Sequence, residues 1–588
     1  MSQETYFREE LAFLKEQGAA FTEVHPQLSR FLKSRTTDPD VERLLEGFAF
    51  LTSRLRQKVE DDFPELTHSI INMLWPNYLR PVPSLSIVQF YPTTNVLSSR
   101  QRIEANCAVD SVKVMDTTCH FRTCRGFNIY PIEQVGVQTS HSRESSIIDV
   151  QLQVLGEQDL ASIDLRDLQF YLGGDTHSAQ MLYLWLNHYL ARIDLISGDK
   201  AVAIPAKHFQ ISGFESGDAI MPYPKNVHEG YRILQEYLTF PQAFLFCGID
   251  DLSRHISPEM GRDFTLRFVF EKTIPSDVRV RPESFSLFCT PVVNLFSHGV
   301  EPIDLTGKRS EYRIVPSSSK PKNYEVFSID KVQGWKEAHA GRIRGEKRVY
   351  TAFESFQHDM ARQQGQQALY YRTRVKDSAR GDGFDHFISF IRDDEDTSIG
   401  LSEAVSIQAT CTNRQLPVEL GVGDICKATD SSPTFAEFSN ITVPTQPLRP
   451  SLDGSLLWTL ISNLSLNYLS LLSKSALCFV LRAYDFRALV DKQAERIAKN
   501  RFDGIVSIDS KPKERLIKGL PVRGLESTLV LDPKAFGSEG DLYLFGTVLS
   551  RFFALYASIN SFHELVVINS ENQERYSWGI QTGQQPLI

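Results

Sequence analysis

Apolar residues recur at helical spacing near the start of the chain. Asp38 suits a helix N-cap, and Pro39 fits the first helical position, where no backbone N–H is missed. Val41, Leu44, Leu45, Phe48, Leu51, Leu55 and Val59 then form one stripe, with Arg43, Glu46, Arg54, Arg56, Lys58 and Glu60 on the other faces. Pro64 opens a second helix carrying Leu66, Ile70, Ile71 and Leu74, and Pro76 stops it because its ring blocks further i to i−4 bonding. Upstream, Phe7, Leu11, Leu14 and Phe21 follow a heptad-like spacing from about Thr5 to Val24, widened by Tyr6 and Phe13 and ended by His25-Pro26. Three such helices predict a small bundle whose stripe is wide for its size. The excess either meets another chain, as a helix-in-groove contact does, or packs on the domain that follows.

Past Pro81 and Pro83 the period changes from helical to two. Ser86–Tyr91, Ser111–Met115, Cys119–Cys124, Ile147–Leu155, Leu168–Leu172 and Asp263–Glu271 are short and alternating, which predicts strands of an antiparallel sandwich or barrel. Helices are predicted over Asp175–Ile196 and Glu229–Thr239. Gly307–Gly400 is more polar and reads as loops and hairpins decorating a β domain. Ser406–Pro417 alternates into a turn, and Thr442–Pro450 is a stiff proline connector. Helices are then predicted over Lys474–Tyr484, Phe486–Lys499 and Asp541–Ile559, with Leu542, Phe545, Leu549, Phe552 and Tyr556 on one face of the last. Leu529–Leu531 and Glu564–Ile568 flank that helix as strands. The expected fold is therefore α+β and multidomain, divided as an N-terminal helical unit (1–84), two β-rich domains (85–225 and 226–404) and a mixed α/β C-terminal domain (405–588).

Composition narrows the function. A chain of 588 residues with 42% hydrophobic content supports several large cores. A formal net charge of −9, without a dense basic run, argues against a nucleic-acid partner. Glu4, Arg8, Glu9, Glu10, Lys15 and Glu16 leave no apolar secretory segment, and eight scattered cysteines read as reduced thiols, so a soluble cytoplasmic protein is expected. Leu456–Leu472 is uncharged, but Thr459, Ser462, Asn463, Ser465, Asn467 and Ser470 interrupt it. It is expected as a buried helix rather than a membrane insertion.

The spacings that reactive constellations require are not met. Cys119, His120 and Cys124 lack the paired CxxC of a structural zinc site, and no HExxH occurs. Asp394, Asp396 and Ser398 imitate an EF-hand opening, but Ile399 and Val405 stand where its glycine and glutamate belong. Gly381-Asp-Gly383 and Gly421-Val-Gly423 carry His386 and Cys426 where a phosphate-binding loop needs its third glycine. No GxSxG elbow is present. No catalytic, cofactor or metal site is expected. His188 reads as a core histidine, and Trp75 as either core or interface anchor.

The wording of several segments adds to this. VERLLEGFAFLTSRLRQKVEDDFPELT with LWPNYLRPVPS, CTPVVNLF with EPID, CTNRQLP with ITVPTQPLRPSLDGSLLWTLISNLSLNYLSLL, and GDLYLFGTVLSRFFALYASINSFHELVV occur in that order. Together they resemble the TssF family (VasA/ImpG-like), a baseplate wedge subunit of the bacterial type VI secretion system; the middle third resembles it weakly. The resemblance implies a structural, phage-tail-like assembly protein and no chemistry. It implies two TssF copies bound to one TssG, contacts with TssK and TssE, and six wedges around the VgrG hub from which the contractile sheath grows. It also implies a baseplate docked at the cytoplasmic face of the inner-membrane complex. Candidate partner-binding residues are Phe7, Leu11, Leu14, Phe21, Leu44, Phe48, Leu51, Leu55, Trp75, Phe545, Phe552 and Tyr556. Two environments for one chain favour hinges near Pro81–Pro83 and Pro444–Pro450. The alternatives are a cytosolic multidomain enzyme with no recognisable motif, and a peripheral membrane adaptor using the Leu456 segment.

Overall fold

The computed structural model describes residues 7–8, 11, 43–53, 71–72, 75–223, 229–305, 309–336, 346–353, 369–378, 383–392, 403–450, 473–517, 519–554, 557 and 561–583. Leu14, Phe21, Val41, Leu55, Val59, Leu456–Leu472, Asp393–Asp396 and Tyr556 lie outside them. The fold is α+β, as expected from the two periodicities.

Strand Leu85–Pro92 is the spine of the first sheet. It pairs antiparallel with Cys289–Val293 on one side and Ala436–Asn440 on the other. The six-stranded order is Ile425–Lys427, Ala108–Val114, Thr117–Thr123, Cys289–Val293, Leu85–Pro92, Ala436–Asn440. Its members come from three of the four segments into which the sequence divides. A five-stranded sheet follows, in the order Lys200–Pro205, Leu190–Ser197, Asp263–Phe270, Ser146–Val154, Ile132–His141. Strand Ser146–Val154 shows the predicted alternation, with Ile148, Val150, Leu152 and Val154 buried. A four-stranded sheet (Phe209–Ser212, Phe246–Asp250, Asp167–Tyr171, Ser286–Leu287) completes the central β body.

Helix α1 (Thr176–His188) is capped by Asp175, whose side chain accepts from the Ser178 N–H. The sequence pattern predicts this helix on to Ile196. The chain instead turns at Tyr189 into strand Leu190–Ser197, because Ile193 and Leu195 pair across to Phe268 and Leu266 in the sheet. Helix α2 (Glu229–Thr239) has its expected bounds. Helices α3 (Lys474–Tyr484), α4 (Phe486–Val490) and α5 (Lys492–Asp503) are separated by Asp485 and Asp491, each capping the helix that follows it. The expected single helix from Phe486 is thus divided by its own cap. Helix α6 (Glu539–Ala554) crosses between the parallel strands Leu520–Leu531 and Ser561–Asn569. This is the strand–helix–strand unit that the pattern predicts. The sequence reading missed the long hairpin of Ile505–Ile517 with Leu520–Leu531, since its solvated first strand, with Pro512 and several charges, does not alternate.

Two separate apolar cores hold these parts. The larger runs from Ile71 through the central sheets to Tyr576. The smaller fills an eight-stranded sheet built between Phe296 and Thr412, around Val326, Val332, Ile388, Val405 and Ile407. The polar region Gly307–Gly400 therefore contributes long strands such as Glu325–Lys336 and Phe384–Arg392 as well as loops. No helix among the described residues is long and apolar enough to cross a membrane.

Candidate assembly surfaces

Residues 43–53 are helical. Ala49 and Ser53 are fully buried on one side, while Leu44, Phe48 and Leu51 are 74%, 59% and 60% exposed on the other. The spacing i, i+4, i+7 places these three on one line of the helix. Large apolar side chains so aligned and open form a candidate contact surface. Phe7 and Leu11, also helical, are half-buried.

Trp75 lies at the other end of the N-terminal segment and is sealed inside the molecule, 1% exposed. Its ring meets Tyr223, Tyr231 and Tyr484 at centroid distances of 5.5, 5.7 and 6.0 Å. Tyr78 continues the cluster onto Phe486 at 5.2 Å. Edge-to-face rings of this kind add to the apolar burial. Beneath them, the fully buried Glu236 accepts from the Ile220 N–H (2.9 Å) and pairs with Arg232 (3.2 Å). Burial pushes the Glu236 carboxyl up while Arg232 and Arg125 hold it down, and the net direction is up. Trp75 is thus the core anchor that fastens the N-terminal segment to α2, α3 and α4, and it offers no surface to a partner.

The same correction applies to α6. Phe545 and Phe552 have zero exposure, as do Leu542 and Leu549. The apolar face predicted as a docking stripe packs against α1, α2 and strand Ser561–Asn569. Gly540 makes the α1 crossing possible, since a Cβ there would collide with the Gln180 carbonyl. Asp541 ties the joint, accepting from the Gln180 amide of α1 (3.3 Å), and it also receives Arg501 of α5 at 2.9 Å. His188 is half-buried within 5.0 Å of the Tyr576 ring, and burial pushes its imidazole down, as a core histidine requires.

Sequence reasoning missed other exposed apolar residues. Phe479, Leu489, Val490 and Ile497 stand open on α3–α5, and Leu516 and Leu520 cap the far end of the hairpin. Their signal was present: Ile497 is out of phase with the buried pair Ala498 and Phe502 on a helix otherwise rich in charge.

The distinctive sequence blocks meet one another at joints. Asn294 of CTPVVNLF donates to Asn413 of CTNRQLP (2.9 Å) and to the His120 carbonyl (2.8 Å), and the Asn413 N–H returns to Asn294 (2.7 Å). Val82 of LWPNYLRPVPS and Leu448 of ITVPTQPLRP exchange two backbone bonds of 2.7 and 3.0 Å. At these joints the residue runs carry buried architecture. His120 pairs with Asp110 (2.9 Å) instead of joining its neighbouring cysteines.

The whole fold is shared with proteins of the type VI secretion apparatus. It matches a chain of the TssK-TssF-TssG baseplate subcomplex solved by cryo-electron microscopy with a TM-score of 0.77 and 30% identity, over 92% of this chain and 98% of that one. A chain of the type VI secretion baseplate complex matches with a TM-score of 0.63 and 27% identity over the full length of both. At the sequence level, the family described as "Type VI secretion system, TssF" matches residues 2–585. The type VI secretion system component TssF1 of Pseudomonas aeruginosa is 30% identical over 628 residues, covering 99% of each chain. The chain belongs to the TssF family.

Proposed function

We propose that this chain is a structural wedge subunit of the type VI secretion baseplate. Two copies bind one TssG, TssK and TssE attach to the same wedge, and six wedges surround the VgrG hub at the cytoplasmic face of the inner-membrane complex. Its work is adhesion and shape, and no bond of a substrate is made or broken. The observation that carries this reading is the end-to-end likeness to a chain of the solved TssK-TssF-TssG subcomplex. The open line of Leu44, Phe48 and Leu51 supports a contact made by the N-terminal helices, and bistable contacts of this sort suit a plate that must rearrange when the sheath is released.

Coexpression with TssG-like and TssK-like partners, followed by mass measurement of the purified complex, tests it. A complex holding two copies of this chain for each TssG is the expected result. A chain that stays monomeric beside soluble partners overturns the reading.

A further inference from the structure

A cavity of about 300 Å³ lies in the seam between residues 72–80 and the eight-stranded sheet. Its walls mix apolar residues such as Pro76, Leu79 and Phe327 with polar ones. Into it come Arg80 from the N-terminal segment and Thr373 and His386 from two sheet strands.

The charge balance of this cavity is incomplete. The Arg80 guanidinium donates to Asn77 Oδ1 (2.9 Å) and rests 5.2 Å from the Phe327 ring centroid. No carboxylate of a described residue is within ion-pair reach of it. Asp330, whose charge reaches Arg80, has its two oxygens taken by the Ser328 and Thr410 hydroxyls at 3.0 and 2.8 Å. Burial pushes the guanidinium down to about 10, the mark of a cation short of a counter-charge. Five N–H groups radiate from an arginine, and Asn77 takes one. His386 is 7% exposed and its Nδ1 has no hydrogen-bond partner. The Thr373 hydroxyl and the Asn72 amide, which also line the cavity, are likewise uncommitted to described residues. His386 is buried, and Arg80, Thr373 and Asn72 are half-buried; groups so withdrawn from water are ordinarily paired or hydrogen-bonded. One guest satisfies both needs.

We propose that this cavity binds a small oxyanion, with Arg80 supplying the charge and Thr373, Asn72 and His386 supplying further hydrogen bonds. A phosphate or carboxylate group fits the fork of the guanidinium and accepts from several directions at once. The volume leaves room for a small molecule that carries such a group. The bound anion bridges the N-terminal segment to the second core, so it stiffens the joint on which any N-terminal contact is carried.

Calorimetric titration of the purified full-length chain tests this, using sodium sulfate against sodium chloride at matched ionic strength. Saturable one-site sulfate binding that raises the melting temperature is expected. Arg80→Gln is expected to weaken it by at least about tenfold, as loss of a charge-assisted pair does. The same variant should melt no lower in anion-free buffer, because an unpaired charge has been removed. Thr373→Val keeps the shape of its side chain and is expected to weaken sulfate several-fold, which carries the test if Arg80→Gln fails to fold. A parallel titration with acetate separates the carriers: equal binding points to a carboxylate guest, and sulfate alone to a phosphoryl or sulfuryl guest. A response no different from chloride, or saturable binding left intact by both variants, overturns the proposal. Neither result bears on whether the chain joins its partners.

Discussion

At the residue scale, burial decides what the sequence leaves open. Trp75 is readable as core or anchor from its neighbours alone, and only the three tyrosines gathered from distant segments make it core. His563 is a second case. The apolar run within Glu564–Ile568 predicts a strand, but not that the histidine beside it is fully buried, with Nε2 2.9 Å from Ser527 Oγ. Burial pushes its imidazole down from 6.5 to about 4, against the pull of Glu564. The unfolded chain therefore takes up this proton first. Stability from neutral His563 is complete above the unfolded value and drains as pH falls toward the folded one. For a shift of this size the loss is about 2 kcal/mol between pH 7 and pH 5. His386, buried and also pushed down to about 4, adds to the same slope. Urea unfolding at the two pH values, compared between the natural chain and His563→Gln, isolates the His563 share. A flatter pH dependence in the variant is expected, and parallel slopes would show that His563 carries no proton-linked stability.

At the element scale, helical periodicity identifies an apolar face and is silent about what covers it. Phe545 and Phe552 on α6 and Phe48 and Leu51 near the N-terminus read alike in sequence. In the fold the first pair is enclosed and the second open. The difference comes from long-range neighbours: α1, α2 and the parallel strands close over α6, and no single stretch announces that. Whole elements were still legible wherever local signals agree. Helices α2 and α3 have their expected bounds, whereas α1 was overrun because helix and strand patterns join at Tyr189 without a proline or glycine between them. The open line of the N-terminal helix yields a sharp expectation. Asp at an already exposed position costs folding little, typically within about 0.5 kcal/mol. Phe48→Asp combined with Leu51→Asp should thus leave melting nearly unchanged while copurification with a TssG-like partner falls strongly. Retained complex with unchanged melting removes this helix face from the assembly surface.

At the scale of the whole molecule, the linear division into four segments hides how strands return. The six-stranded sheet joins Leu85–Pro92 to Cys289–Val293 and Ala436–Asn440, a closure that no local pattern encodes. The two proline connectors, read from sequence as separate hinges, are hydrogen-bonded to each other through Val82 and Leu448, both buried. Bending at either one breaks that bridge, so the larger core has little freedom there. The seam between the two apolar cores is instead where flexibility is expected. It is held by Arg449, which reaches Glu325 through Nε (3.1 Å) and Nη2 (2.9 Å), while the Phe384 N–H also donates to Glu325 (2.7 Å). Glu325 is 2% exposed, so removing its cation strands a buried carboxylate at a cost of about 3 kcal/mol. Arg449→Met is therefore expected to speed amide exchange in strands Glu325–Lys336 and Phe384–Arg392 while strand Leu85–Pro92 keeps its protection. In the proposed wedge, the two copies are then expected to differ chiefly by the attitude of the eight-stranded unit. Hydrogen exchange that rises equally in both cores would show a single cooperative body and return the search for flexibility to the N-terminal helices.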